Sequence, residues 1–288
     1  MDFNQTVNKL SDISSSELHH YGIEGIPFPS VLELHEIVDL CRSVLFPGFY
    51  GKSVVDAGSL KFHVGVNTER IYEKLTKQIV AGLALMLGDK YDEHTALWDA
   101  ARRRSKAFVE SLPQLRDLLE TDVVAHYRND PAAHNLGEVI LCYPGMRAIS
   151  GYRIAHRLVE LDVPLIPRMI TEIGHSETGI DIHPGATIGH SFAIDHGTGV
   201  VIGATAILGH NVTLYQGVTL GAKNFPQEED GTLVKGIARH PILGDNVVVY
   251  ANATILGRIN IGNNATIGGN LWVTHDVPEN AKLFYKQN

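Results

Sequence analysis

The chain has 288 residues, 44% of them hydrophobic and 19% charged, which suits a folded globular protein of one large or two smaller domains. A formal net charge of -8 disfavours broad binding to nucleic acid or to an anionic membrane, although a phosphate-bearing ligand would still need local basic spots. No apolar run approaches the ~20 residues of a membrane span, the opening MDFNQTVNKL lacks a secretory pattern, and Cys41 and Cys142 alone make no disulfide framework, so a cytoplasmic protein is expected.

The first half of the chain reads as helix. The stretch from Pro27 to Gly65, with Pro27, Pro29, Pro47 and several glycines, shows no clear period and is left unassigned. In Thr68–Leu87, the residues Ile71, Leu75, Ile79, Leu83 and Leu87 recur every four positions and share one helical face. A second predicted helix runs roughly from His94 to Glu110. Its basic run Arg102-Arg103-Arg104 reads as a solvated face rather than a phosphate site. Pro113 suits the first turn of another helix, and Arg147–Leu161 reads as one more, ended before Pro164.

After about residue 180 the pattern changes to a period of six. Aliphatic residues fall at Ile182, Ile188 and Ile194, then at Ile202, Leu208, Leu214 and Leu220, and again at Leu243, Val249, Ile255, Ile261, Ile267 and Val273. Six is neither the 3.6 of a helix nor a sustained alternation of two. It fits short strands separated by sharp corners, where Gly, Asn or Asp accepts unusual backbone angles. Three such steps close a triangular coil, and stacked coils share one aliphatic core.

The period breaks twice. Between Ile194 and Ile202 the extra residues fall in Asp195-His196-Gly197-Thr198-Gly199, and between Leu220 and Leu243 a long insertion, GAKNFPQEEDGTLVKGIARHP, leaves the coil. Interruptions of a solenoid are where loops with a function are expected. His196, Asp195, Asp181, Arg239 and His240 gather at these breaks or beside the first coil. An imidazole could move a proton, carboxylates could hold an ammonium, and a guanidinium could grip a carboxylate. Each also has a plainer reading, as a corner histidine, turn-capping aspartates or loop anchors.

The segments DIHPGATIGHSFAIDHGTGVVIG (Asp181–Gly203), VTLGA (Val218–Ala222), RHP (Arg239–Pro241), RNDPA (Arg128–Ala132) and YRIAH (Tyr152–His156) resemble the bacterial and plant serine acetyltransferases, across roughly residues 120–278. The resemblance implies an all-helical N-terminal domain over 1–175, contributing to the substrate site and to oligomerisation. It implies a left-handed parallel β-helix of hexapeptide repeats over 176–288, with a loop at 221–241. It implies acetyl transfer from acetyl-CoA to L-serine, the first step of cysteine biosynthesis. His196 would then be the general base and Asp181 its carboxylate partner. Asp130 and Asp195 would receive the substrate ammonium, Arg239 its carboxylate, and His240 would contact the hydroxyl region. Gly221, Ala251 and Gly269 correspond to the surface met by the pantetheine arm. Lys223, Lys235 and Arg258 are added as candidates for the CoA phosphates. No metal is expected. Homotrimers or hexamers and inhibition by L-cysteine are implied as well. Three departures stand out: Ala204 where the family commonly has Glu, a longer insertion before Arg239, and the ending Lys286-Gln287-Asn288 in place of a terminal isoleucine. Docking to a cysteine synthase through that tail is therefore not expected.

Competing expectations are an acyltransferase of the same scaffold with another acceptor (homoserine, O-phosphoserine or a sugar), a zinc carbonic anhydrase built on this helix, and a non-catalytic scaffold. His183, His190, His196 and His210 keep the zinc reading in play. The histidine pair five apart expected of it is missing, and His196 with Asp181 argues against an idle scaffold.

Overall fold

The computed structural model describes residues 3–12, 25–51, 54–87 and 94–285. The Lys286–Asn288 end lies outside the described residues, and with it the expectation about the tail.

Among the described residues eight helices come first: α1 (Phe3–Ser11), α2 (Val31–Leu45), α3 (Leu60–Leu87), α4 (His94–Glu110), α5 (Leu112–Asn129), α6 (Leu136–Cys142), α7 (Pro144–Glu160) and α8 (Ile166–Thr178). The four-residue period found in α3 does face the core, with Ile71, Leu75, Ile79 and Leu83 fully buried; the Leu87 side chain lies outside the described ones. The unassigned stretch holds a whole helix, α2. Ser30 caps it by accepting from the Glu33 N–H at 3.3 Å, and Leu34, Ile37, Val38, Cys41, Val44 and Leu45 form its buried stripe. The prolines that hid it lie outside both its ends. In α4, Arg102 and Arg103 are exposed, Arg102 pairing with Asp99 one turn away, and Arg104 bonds the Leu161 carbonyl beyond the helix.

The chain then winds a left-handed parallel β-helix of about five coils. The first face stacks β1 (Asp181–Ile182), β4 (Val201–Ile202), β7 (Thr219–Gly221), β10 (Thr254–Leu256) and β13 (Trp272–Val273). The second stacks β2 (Thr187–Ile188), β5 (Ile207–Leu208), β8 (Ile242–Leu243) and β11 (Asn260–Ile261). The third stacks β3 (Ala193–Asp195), β6 (Thr213–Tyr215), β9 (Val248–Val249), β12 (Thr266–Ile267) and β14 (Lys282–Leu283). The register pairs like positions, Ile182 on Ile202 on Leu220 on Ile255 on Val273, so the six-residue aliphatics fill one continuous core. Between the second and third faces, Ser191, Asn211, Asn246, Asn264 and Asn280 all take left-handed backbone angles. That conformation costs roughly 1–2 kcal/mol for a residue with a Cβ. The asparagines offset it with a ladder of amide bonds, each Nδ2 donating to the next Oδ1 at 2.9–3.0 Å.

The first coil has a neighbour on one side only, so its outer peptide groups need other partners. The helices supply them. From α7, Tyr152 donates to the Ala186 carbonyl at 2.6 Å, His156 meets Pro184 at 2.8 Å, and Arg153 donates to Ile188 and Gly189, both at 2.6 Å. This is the physical content of the YRIAH element. From α5, Thr121, Asp122 and His126 accept from the N–H groups of Ser191, Phe192 and Ile194 at 2.9–3.1 Å. A buried ion pair between Arg153 and Asp122, at 3.1 Å, ties the two helices together at that end.

Candidate active site

The turn after β3 carries the chain from the third face to the first, and it forms one edge of the first face. His196 stands there, exposed, in a left-handed conformation at φ 56°. Asp195 ends β3 and lies beside Tyr215 in register. Asp130 is delivered from the helical half as the C-cap of α5. Its carboxylate accepts from the Ala132 N–H at 2.8 Å and from the Tyr143 hydroxyl at 2.5 Å. Those two bonds, led by the tyrosine and aided by nearby His196, hold its carboxyl below the usual range. Burial first, and then Asp130, Glu138 and Asp195, push the Tyr143 hydroxyl up, so it stays a donor. Tyr215, raised by burial and by Asp195, stacks on Tyr250 with 5.1 Å between ring centroids. Two carboxylates, an imidazole and the phenols of Tyr143 and Tyr215 thus share one electronegative edge.

The opposite edge lies where the chain passes from the first face to the second. Here the insertion leaves after β7 and returns at Arg239-His240 before β8. Thr205 organises the return: its hydroxyl oxygen accepts from the N–H of Arg239 at 2.9 Å and of His240 at 3.2 Å. Thr205 also presents its own N–H to His240 Nδ1 at 3.1 Å, with Oγ1 2.8 Å from the same nitrogen. Nδ1 is therefore an acceptor, and the ring proton sits on Nε2. Burial first, and then Arg239, His183 and Arg258, push the imidazole down to about 4, keeping it neutral. Its ring lies across Gly203, where a Cβ would come within 2.0 Å of Cδ2. Arg258 is exposed and donates from Nη1 to the carbonyls of Thr205 at 2.6 Å and His240 at 3.1 Å, bracing this corner. The Arg239 guanidinium has no carboxylate partner among the described residues and rests 5.6 Å over the Phe225 ring.

Asp181 sits on the first face between these edges. It faces Arg168 at 3.4 Å, and among the described residues no hydrogen bond or ion pair joins it to His196. With Glu172 and His175 it forms a grouping whose ligand atoms lie within 4.8 Å of one another; Arg168 already pairs with both of its carboxylates. Gly221 leaves room for the Leu256 side chain, while Gly269 packs on the Ala251 carbonyl, where a Cβ would stand 3.0 Å away. Lys223 and Lys235 are exposed on the insertion. Ala251 and Gly269 belong to the His196 edge and Gly221 and Lys223 to the Arg239 edge. Five or so residues of strand and corner, about 17 Å at ~3.3 Å each, separate the two edges. Hydrogen-bond chemistry needs reach of ~3 Å, so the two edges of one chain do not meet around one small molecule.

A Synechococcus elongatus protein, "Serine acetyltransferase, plasmid", is 46% identical over 277 residues, spanning 94% of this chain and 87% of that protein. The chain belongs to the serine acetyltransferase family. It is accordingly an acyltransferase. The family model "Serine acetyltransferase, N-terminal" matches residues 70–151 within the helical half. The Bacillus subtilis serine acetyltransferase is 44% identical over 162 residues, 56% of this chain and 70% of that one. Among solved structures, Entamoeba histolytica serine acetyltransferase 1 in complex with L-cysteine superposes with a TM-score of 0.76 at 37% identity, covering 90% of this chain and 88% of that one. Against this family background, sequence reading missed Tyr143, Thr205, Gly203 and Tyr215. Thr205 directly follows Ala204, the position that departs from the family's Glu. Tyr143 had no signal beyond its place before Pro144. No helix among the described residues is long and apolar enough to cross a membrane.

Proposed function

We propose that the chain transfers the acetyl group of acetyl-CoA to the side-chain hydroxyl of L-serine, with each site closed between two copies. The observation that carries this reading is the division of complementary groups between opposite edges of one face. The edge with Asp130 and Asp195 suits an ammonium, and the edge with Arg239 suits a carboxylate. A zwitterionic amino acid needs both, and a rotationally repeated copy brings the second edge to the first. Three copies around an axis parallel to the β-helix give every site both edges, and this homotrimer is the assembly proposed.

His196 takes the hydroxyl proton as the serine oxygen attacks the thioester carbonyl. When the tetrahedral intermediate collapses, the carbon–sulfur bond breaks and the imidazolium returns that proton to the CoA thiolate. Asp181 gives up Arg168 and accepts from the imidazole, fixing its tautomer. His240 directs its Nε2–H at the substrate oxygen. Gly221, Ala251 and Gly269 line the groove for the pantetheine arm, and Lys223 and Lys235 meet the CoA phosphates. L-cysteine offers the same ammonium and carboxylate, so it competes with serine. The residues assigned to the reaction leave no step that calls for a metal.

The test is CoA release from acetyl-CoA with L-serine, homoserine, O-phosphoserine and simple sugars side by side. L-serine is expected to react fastest, with inhibition by L-cysteine that serine relieves. A sugar outpacing the amino acids overturns the reading.

A further inference from the structure

The insertion between β7 and β8 is folded in its own right. Val234 N–H donates to the Pro226 carbonyl at 2.9 Å, Glu228 N–H donates to Thr232 at 2.8 Å, and Gln227 bridges Leu233 in antiparallel fashion. Asp230 accepts from the N–H and hydroxyl of Thr232 at 2.9 and 2.6 Å, closing the turn. This small hairpin begins directly after Phe225, and Phe225 is the residue whose ring lies under the Arg239 guanidinium at 5.6 Å. The backbone of Arg239 is already fixed by Thr205. Its side chain has four freely turning bonds beyond that anchor, and among the described residues no carboxylate holds it.

We propose that Phe225 is a positioning residue for the acceptor's carboxylate: its ring preorganises the Arg239 guanidinium, and the insertion hairpin exists in part to hold that ring in place. The proposal rests on the assignment of Arg239 to the substrate carboxylate. A guanidinium held over an aromatic face by cation–π attraction samples fewer orientations before a carboxylate arrives to meet its N–H groups. Preorganisation lowers the entropy lost when the carboxylate binds, and it acts on binding without touching proton transfer at His196. Phe225 is 58% exposed, too open to be a core residue, so its cost to the surface is explained by the contact it makes.

The experiment measures steady-state kinetics of F225A, F225W, R239Q and the double variant F225A/R239Q as purified full-length proteins. F225A is expected to raise KM for L-serine about three- to fivefold, the span of an exposed cation–π contact, with kcat and KM for acetyl-CoA within about twofold. F225W restores the serine KM, and F225A adds nothing once Arg239 is replaced. A serine KM that F225A leaves unchanged overturns the proposal. So does a shift that persists undiminished in the R239Q background, or one that falls on acetyl-CoA or kcat alone. R239Q reports separately on the underlying assignment: if it leaves the serine KM unchanged, Arg239 does not hold the carboxylate and both readings fall. If R239Q raises it and F225A does not, only the proposal for Phe225 falls.

Discussion

The two edges of the first face are built by different means. On the Arg239 edge the backbone and the His240 ring are locked: Thr205 serves two N–H groups and the imidazole of His240, and Arg258 closes the carbonyls behind them. On the His196 edge the key imidazole is exposed at a left-handed corner, and its surroundings come from a helix terminus as well as from the coil. A group meant to hold a ligand in place gains from being locked. A group that takes and returns a proton, the role proposed for His196, has to change partners, and a corner outside the repeat leaves it free to do so.

That contrast can be tested most severely at its reactive end. H196A is expected to lower kcat about 10²–10⁴-fold, the range for a positioned acid/base group, while leaving the melting temperature within a few degrees of the parent protein. Turnover near normal would remove the division of labour altogether. G203A strikes the locked edge: the added methyl displaces the His240 ring, with an expected loss of about 10- to 100-fold in kcat/KM. Unchanged kinetics in G203A would mean that the placement of that ring does not matter. Y143F removes a single hydroxyl from Asp130 and is expected to raise the serine KM about three- to tenfold, with kcat nearly unchanged.

The smallest effect concerns the support beneath the His196 edge. His126 is buried between α5 and β3, and because its Nε2 accepts from Ile194 it must be neutral, with its Nδ1–H donated to the Asp122 carbonyl 2.8 Å away. Burial pushes its pKa below the ordinary 6.5. The unfolded chain therefore binds a proton in the imidazole range that the folded chain refuses. Its contribution to stability is complete above about pH 7 and is lost as the pH falls below about 6.5. Urea unfolding between pH 5 and 8 is expected to show a pH slope for the parent protein steeper than that for H126Q, by up to about 1.4 kcal/mol per pH unit. Equal slopes would mean that His126 is not the neutral support described.

Much of this architecture is legible in the sequence, for specific reasons. The six-residue aliphatic period marks an inward position at every corner-to-corner step, so Ile182 through Val273 announced the core and its interruptions. His196 and Arg239 were conspicuous because they stood where that period failed. Helix α2 was obscured because prolines beside its ends were read as breakers of the segment they frame. Tyr143 and Thr205 escaped notice because their importance lies in partners 13 and 34–35 residues away, respectively, and no local pattern records such distances. The pairing of Asp181 with Arg168 was hidden in the same way.

The sealed first coil has a consequence for how such a molecule can be rearranged. Its outermost peptide groups are satisfied by Thr121, Asp122, His126, Tyr152, Arg153 and His156, six side chains from two helices, each placed to within hydrogen-bond tolerance. Cut away the helical half, and the remaining prism presents a bare strand edge, which is a template for adding further strands from other chains. The junction therefore travels as a unit. A hybrid made by grafting this β-helix onto another helical half can inherit a closed end only if those six positions come with it, so recombination points that leave a working protein should cluster upstream of α5 and not at the visible boundary before Asp181.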